Sequence, residues 1–295
     1  MTSLSLICAE ELAKLLRNPK DIVLLDARIS EEFERGHIPG AQSTQWFDWC
    51  SKAPAQANSE LFEAGYWGNL QVENLEEAQA RLGNLGITRG GTVIVYSNGL
   101  ASKGREGRIA WMLLYYGLQD VRILDGGFGA WLSAGSDTTT EIFSSPKTNI
   151  EIVFAPERRI DLRSVRNLLE EDRGTSPLLV DTRSPAEFEG KIFDYQPRKG
   201  RLPRSVNIWF ERYFEADGKF LSSEKFRALL HSENAQFGIK ASYCEVGVRA
   251  ATFALLYELA TGVVLPVFDG SIMEWSLNAD LAVISGCQSG DLEAC

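Results

Sequence analysis

The chain contains 295 residues, of which 44% are hydrophobic and 24% are charged, so it has the composition of a globular protein and the length for two domains. Its formal net charge of -10 argues against a nucleic-acid partner or an anionic membrane surface, because both need a basic face. The five cysteines are scattered and odd in number, which fits neither a disulfide framework nor a clustered zinc site. No apolar run is long enough for a signal peptide or a membrane span, so we expect a cytoplasmic protein without a metal.

Helices and strands alternate through the first half of the chain. In chain order, the predicted elements are a helix over residues 9–16, a strand over 21–26, a short helix over 30–34, a helix over 73–85, a strand over 92–96, a helix over 109–116 and a strand over 121–124. His37 lies in a turn at residues 36–41, and we expect it to tether that turn through a hydrogen bond. Residues 42–68 are aromatic and irregular, which predicts a long loop that covers another part of the protein or packs between domains, with a satellite hydrophobic cluster as the alternative.

The second half of the chain repeats the pattern of the first. Asp181-Thr182-Arg183 follows a predicted strand, as Asp26-Ala27-Arg28 does, and residues 268–275 match residues 124–131 with an Asp-Gly pair ahead of a Trp. Such ordered self-similarity across the chain predicts a duplicated domain.

The duplication gives the predicted domain organisation. We place the first domain at residues 1–138, a linker of weakly patterned Ser, Thr and Pro residues at 139–156, and the second domain at residues 157–295. The predicted fold class is α/β, with two tandem domains that each contain a mostly parallel sheet flanked by helices. In such sheets ligands bind at the carboxyl ends of the strands.

Cys244 lies where a predicted strand at residues 237–243 meets a predicted helix at residues 249–260. Backbone N–H groups in such a loop point inward and the helix N-terminus adds partial positive charge, so the loop can hold an anion and favour a thiolate. Cys244 is therefore the candidate nucleophile, with a buried, unreactive thiol as the alternative. The equivalent position in the first half is Ser97, so only the second half carries the nucleophile.

These motifs, together with the six-residue loop from Cys244 to Arg249, resemble the tandem-domain rhodanese family of thiosulfate and 3-mercaptopyruvate sulfurtransferases over nearly the whole chain. The resemblance implies an inactive first domain and an active second domain. Cys244 would take a sulfane sulfur from a small donor such as thiosulfate as a persulfide, and pass it to cyanide or a thiol, without a cofactor. The implied substrate-binding residues are Arg183, Glu245, Val246, Gly247, Val248 and Arg249.

Glu245 departs from the family's patterns. Thiosulfate-preferring members often carry a basic residue after the cysteine, and mercaptopyruvate-preferring members often read Cys-Gly-Ser-Gly-Val-Thr. An acidic side chain beside the nucleophile would raise the pKa of the thiol and repel a dianion, unless it points away and pairs with Arg249 or Arg204. Thiosulfate is the first-named donor, and 3-mercaptopyruvate is the alternative.

Other functions stay open at this point. A phosphatase of the related fold is disfavoured, because four residues separate Cys244 from Arg249 and related cysteine phosphatases place five there. A non-catalytic sulfur-relay or regulatory module would instead bind a partner protein through residues 42–68. For the enzyme, a protein that accepts the sulfur is a further candidate partner. Cys287 and Cys295 are either resolving thiols or part of a flexible tail.

Overall fold

A computed structural model describes residues 3–54, 67–172, 174–192 and 196–286. The chain divides into two compact units that interleave in sequence. The first unit contains Met1–Trp49, Leu70–Arg158 and Phe214–Leu221, and the second contains Cys50–Asn69, Arg159–Tyr213 and Ser222–Cys295. The domain boundaries at residues 138 and 157 stay predictions.

The first unit contains a five-stranded parallel sheet with the strand order β1-β5-β4-β2-β3. Its strands are β1 (Ser3–Ile7), β2 (Ile22–Asp26), β3 (Ala41–Ser43), β4 (Thr92–Tyr96) and β5 (Asp120–Leu124). Its helices are α1 (Ala9–Leu15), α2 (Ser30–Arg35), α3 (Leu75–Asn84), α4 (Arg105–Tyr115) and α5 (Gly127–Ser133). The predicted elements of this half are confirmed in type, and β1 is an additional strand that pairs with β5.

Alternating residues of these strands face a common hydrophobic core. Leu24, Ile94 and Tyr96 pack there against Leu12 of α1 and Trp131 of α5. Side chains two apart on a strand point to the same face of a sheet, which is why the buried runs of this sequence form strands between helices. The predicted parallel sheet with helical cover is therefore confirmed.

The second unit contains a three-stranded parallel sheet with the order β7-β6-β8. Its strands are β6 (Leu179–Asp181), β7 (Ser205–Asn207) and β8 (Ala241–Tyr243), and its helices are α6 (Leu162–Glu171), α7 (Pro185–Phe188), α8 (Ser223–Ser232), α9 (Val248–Thr261) and α10 (Ser271–Leu277). The strand predicted over residues 237–243 is shorter in the structure. Gly238 has a left-handed backbone with φ of 85°, so the chain still turns there and extends only from Ala241.

Matching contacts in the two units confirm the duplication. The Tyr96 hydroxyl accepts the N–H of Ile38 at 3.1 Å, and the Tyr243 hydroxyl accepts the N–H of Leu202 at the same distance. Both tyrosines end the strand that precedes the loop of interest, which places Ser97 and Cys244 at equivalent points.

His37 tethers its turn as predicted. Its ring is buried and stacks on Phe33, with ring centroids 3.8 Å apart. Nδ1 lies 2.9 Å from the carbonyl oxygen of Phe33, and Nε2 lies 3.1 Å from that of Glu141. The second contact comes from the segment predicted as a linker, which therefore runs along the first unit at this point.

Candidate active site

Cys244 lies directly after β8, at the carboxyl end of the second unit's parallel sheet. Three residues separate it from α9, and the last of them, Gly247, has a left-handed φ of 78° that turns the chain into the helix. Cys244 is only 1% exposed. The predicted sequence of strand, tight loop and helix is thus present, with the thiol at the junction.

Backbone contacts from α10 hold the loop in place. The N–H of Cys244 donates to Oγ of Ser271 at 3.1 Å, and that hydroxyl donates to the carbonyl of Phe268 at 2.8 Å. The carbonyl of Cys244 accepts the N–H of Ile272 at 3.2 Å. Ser271 adopts a left-handed φ of 53°, in a conformation that is uncommon outside glycine and worth a functional explanation.

Ser271 is a residue that sequence reasoning missed. The first unit has Gly127 at the matching position, with φ of 58°, and Phe128 there donates its N–H to the carbonyl of Ser97 at 2.7 Å. The sequence signal for Ser271 was the difference between the two halves. A serine replaces glycine at this left-handed position only in the half that carries the thiol.

The N-terminus of α9 faces the loop. Gly247 is the N-cap and has no side chain that could accept a hydrogen bond. The N-cap residue therefore does not cap the N–H groups of the first helical turn. The helix dipole adds partial positive charge at this end of a 14-residue helix. Binding of an anion by the backbone of Glu245, Val246, Gly247 and Val248 stays a prediction, and it agrees with this arrangement.

Arg249 lies in the first turn of α9 and is bound by two carboxylates. Its Nη1 and Nη2 donate to the two oxygens of Glu187 at 3.0 and 2.8 Å, and Nη2 also donates to Glu245 at 3.1 Å. Burial alone would lower the pKa of Arg249, but Glu187 and the charges of Cys244 and Glu245 raise it well above its ordinary value. Arg249 is therefore a permanent cation inside an ion-pair network.

Glu187 is the second residue that sequence reasoning missed. It is buried, and its carboxylate also accepts the N–H of Ser184 at 2.8 Å, which fixes it at the start of α7. The Ser184–Glu187 pair forms a capping box, so the sequence signal was present as Ser-Pro-Ala-Glu. Glu187 also contacts Arg249, which is 62 residues away in sequence, so no local sequence pattern predicts this pair.

Glu245 pairs with Arg249, whereas Arg204 contacts Asp172 at 2.7 Å and carbonyl oxygens of its own neighbourhood. This decides between the two partners considered for Glu245. Burial raises the pKa of Glu245, and the charge and hydrogen bond of Arg249 oppose that shift only in part.

Arg183 is 0% exposed and is bound inside the second unit. Its Nε and Nη2 contact Asp181, Nη1 donates to Gln196 at 2.7 Å, and Nη2 also donates to the carbonyl of Gly200 at 2.8 Å. Arg28 contacts Asp26 and the carbonyl of Gly36 in the same way. Arg183 thus forms a buried salt bridge with Asp181, and its contact with substrate stays a prediction.

The basic run after Arg183 is also engaged by the fold. Arg198 donates to the carbonyls of Ser276, Asn278 and Leu281, and Arg201 donates to the carbonyl of Gly286 at 2.7 Å. The hydrogen bonds of Arg198 hold the C-terminal end of α10 and the turn that follows it in place. Arg198 and Arg201 contribute less free positive potential than a solvated basic loop would.

Gly68 packs directly on the Cys244 loop. A Cβ atom at this position would lie 2.3 Å from the carbonyl oxygen of Val246 and 2.1 Å from that of Asp269, so only glycine permits this approach. Trp67 beside it is buried. Gly68, the last residue of the aromatic segment at residues 42–68, thus reaches the loop. Residues 55–66 lie outside the described part, and a covering role of the segment stays a prediction.

The first unit shows the same scaffold with different chemistry. Ser97 replaces the cysteine, and Asn98, at the position of Glu245, donates its amide to Glu32 at 2.9 Å. The loop is longer, since α4 begins only at Arg105. The loop of the first half thus lacks the thiol, as predicted. It is also longer than the Cys244 loop, and its side chains have other hydrogen-bond partners.

Two kinds of feature are absent from the described residues. Within them, no group of three or more His, Cys, Asp and Glu side chains is placed to hold a metal ion. No helix among them is both long and apolar enough to cross a membrane. Cys287 and Cys295 lie outside the described residues.

Curated relatives match this chain over most of both lengths. A provisionally named thiosulfate sulfurtransferase of Haloferax volcanii is 29% identical over 255 residues, which cover 83% of this chain and 82% of that protein. The sulfur carrier protein TtuD of Thermus thermophilus is 28% identical, covering 95% of this chain and 96% of that protein. The 3-mercaptopyruvate sulfurtransferase of Rattus norvegicus is 26% identical over 93% of each chain.

Solved structures with this fold include an anaerobic ergothioneine biosynthesis enzyme from Chlorobium limicola. It aligns with a TM-score of 0.80 and 23% identity over 96% of this chain and 70% of that chain, which is a likeness of fold. The sequence profile of the Rhodanese-like domain matches this chain twice, over residues 9–134 and 162–278. With one match in each half, and with both halves built on the same parallel-sheet scaffold, the chain belongs to the rhodanese-like domain family.

Proposed function

We propose that this protein is a sulfurtransferase in which Cys244 carries a sulfane sulfur as a persulfide. The observation that carries the proposal is the position of the Cys244 thiol, between the carboxyl end of β8 and the uncapped N-terminus of α9. Oriented N–H groups and the helix dipole stabilise a thiolate and a persulfide anion without a general base. No histidine partner is then required.

The first half-reaction transfers sulfur to the enzyme. With thiosulfate as donor, the Cys244 thiolate attacks the outer sulfur, the S–S bond of the donor breaks, and sulfite leaves with the electron pair. The product is the Cys244 persulfide anion. Its terminal sulfur lies about 2 Å beyond Sγ, which is the length of an S–S bond.

The second half-reaction transfers that sulfur to a nucleophile. Cyanide or a thiolate attacks the terminal sulfur, the enzyme's S–S bond breaks, and the Cys244 thiolate leaves as in any thiol–disulfide exchange. The products are thiocyanate or a new persulfide, together with the free enzyme. Charge and atoms balance in both steps, so the cycle needs no cofactor.

Donor and acceptor are proposed at the level of chemical class. Thiosulfate and 3-mercaptopyruvate are the donors named for relatives, and a cyanide or thiol acceptor fits the second step. The relative from Thermus thermophilus is named a sulfur carrier, which supports a protein acceptor as a further candidate. A reducing, cytoplasmic setting suits a free catalytic thiol.

Intact-mass measurement tests the proposal. Incubation with thiosulfate or 3-mercaptopyruvate should add one sulfur atom, and cyanide should remove it and release thiocyanate. Cys244→Ser should abolish the gain. Cys8→Ser is the matched control, because Cys8 is a partly exposed free cysteine of the first unit and should leave the gain unchanged. If neither donor adds sulfur to the native protein, or if the sulfur persists in Cys244→Ser, the proposed function is wrong.

A further inference from the structure

The ion-pair network beside Cys244 has an excess of negative charge. Its members are one cation, Arg249, and two carboxylates, Glu187 and Glu245. The thiolate or persulfide of Cys244 adds a further negative charge to this group. A sulfur donor that carries two negative charges therefore approaches a site that is already anionic.

Glu187 neutralises most of the charge on Arg249. It binds both Nη atoms, at 3.0 and 2.8 Å, and is itself held at the start of α7 by the N–H of Ser184. A bidentate arginine–carboxylate pair is stronger than a pair joined by a single hydrogen bond. Glu245 has a single contact, at 3.1 Å to the Nη2 atom that Glu187 already occupies. Its charge is consequently the less compensated of the two.

Arg249 is the arginine that contacts Glu245. Arg183 is bound by Asp181 and Gln196, and Arg204 is bound by Asp172. Arg198 donates to three backbone carbonyls around α10. These three guanidinium groups are thus held by other parts of the second unit.

The first unit shows that this scaffold does not require an acid at the position of Glu245. Asn98 occupies the matching position after Ser97 and donates its side-chain amide to Glu32 at 2.9 Å. An uncharged amide therefore fits beside the matching glutamate. The acid in the second unit is then a feature of its chemistry rather than of the fold.

We propose that Glu245 selects the sulfur donor by charge: it disfavours doubly charged donors and favours sulfane donors that carry a single negative charge or none. The inference rests on the sulfurtransferase function proposed above. It deepens that function, because thiosulfate, the donor named first from the sequence, then becomes a poor substrate, and organic thiosulfonates or persulfides become better ones.

Two donors of nearly equal shape isolate charge from size. Thiosulfate is a dianion, and methanethiosulfonate replaces one of its oxygens by a methyl group and is a monoanion. Each loses its outer sulfur to Cys244 by cleavage of the same S–S bond, and sulfite or methanesulfinate leaves with the electron pair. The ratio of kcat/KM for the two donors then measures discrimination by charge.

The experiment compares this ratio in four proteins. Glu245→Gln removes the charge and keeps an amide that can contact Arg249, whereas Glu245→Asp keeps the charge. Glu170→Gln is the matched control, since Glu170 also pairs with an arginine four residues away on a helix of the second unit but is exposed. Cyanide is the acceptor in every assay.

Glu245→Gln should raise kcat/KM for thiosulfate by roughly tenfold, mainly through a lower KM, because a like charge near a dianion is removed. It should change kcat/KM for methanethiosulfonate by roughly threefold or less, since that donor carries half the charge. Glu245→Asp and Glu170→Gln should keep the native ratio.

Other results overturn the inference. An unchanged ratio in Glu245→Gln, or equal gains for both donors, would show that Glu245 does not discriminate by charge. A change of the same size in Glu170→Gln would assign the effect to overall protein charge. Failure of the proposed function looks different, because neither donor would then form a persulfide on Cys244 in the native protein.

Discussion

Replacement of Arg249 by methionine separates a structural role of this residue from a role in binding substrate. The guanidinium is buried and makes three charged hydrogen bonds, two to Glu187 and one to Glu245. Arg249→Met leaves two carboxylates without their cation. Loss of one partner of a buried ion pair costs about 3–5 kcal/mol, so the free energy of unfolding should fall by about that amount.

The double variant Arg249→Met with Glu187→Gln completes a double-mutant cycle. Removal of both partners of a buried pair is often nearly neutral, so most of the lost stability should return, with a coupling energy of about 2–3 kcal/mol. The glutamine oxygen can still accept the N–H of Ser184, which keeps the start of α7 intact. The exposed pair of Arg166 and Glu170 is the matched control, and it should show little or no coupling.

Urea unfolding gives the stabilities, and persulfide formation on Cys244 gives the activity of each variant. A structural role predicts that the double variant regains both stability and persulfide formation. If it regains stability but forms no persulfide, Arg249 binds the donor, as the family resemblance implies. If the single losses simply add, the ion pair does not stabilise this unit and the reasoning is refuted.

Two further predictions concern groups that the cycle leaves untouched. Glu106 is buried in the first unit, and burial raises its pKa to about 7, so its carboxylate destabilises the fold increasingly as the pH rises from about 4.5 to 7. Relative to the native protein, Glu106→Gln should therefore gain about 2–3 kcal/mol more in unfolding free energy at pH 8 than at pH 5, and an equal gain at both pH values would contradict this. Ser271→Ala removes the acceptor of the Cys244 N–H, which should cost about 1–3 kcal/mol in urea unfolding and slow persulfide formation. Ser276→Ala, a buried serine on the same helix, is the control, and equal slowing in both variants would exclude a specific role for Ser271.

Local patterns in the sequence were sufficient for the elements that flank the site. The helix predicted over residues 249–260 appears as α9 at Val248–Thr261, because a run of good helix formers ends at Gly262. The strand predicted over residues 92–96 coincides with β4. By contrast, β1 was not among the predicted elements, since its five residues become a strand only by pairing with β5, more than 100 residues away.

The sequence by itself determined that the protein is a duplicated α/β chain of the rhodanese-like family with one cysteine in a tight loop before a helix. Periodicity, turn residues and repeated motifs are patterns along the chain, so they can be recognised without the tertiary structure. Tertiary structure decided the surroundings of that cysteine. Arg249, whose contact with substrate stays a prediction, is bound by Glu187, which approaches from α7 and is 62 residues away in sequence.

The same holds for Ser271 and Gly68, which reach the Cys244 loop from distant parts of the chain. Charge in a buried site depends on which side chains meet in space, because the stability of each ionised group is set by the partners and solvent around it. The sequence therefore predicted the nucleophile, and only the fold showed the ion-pair network in its surroundings.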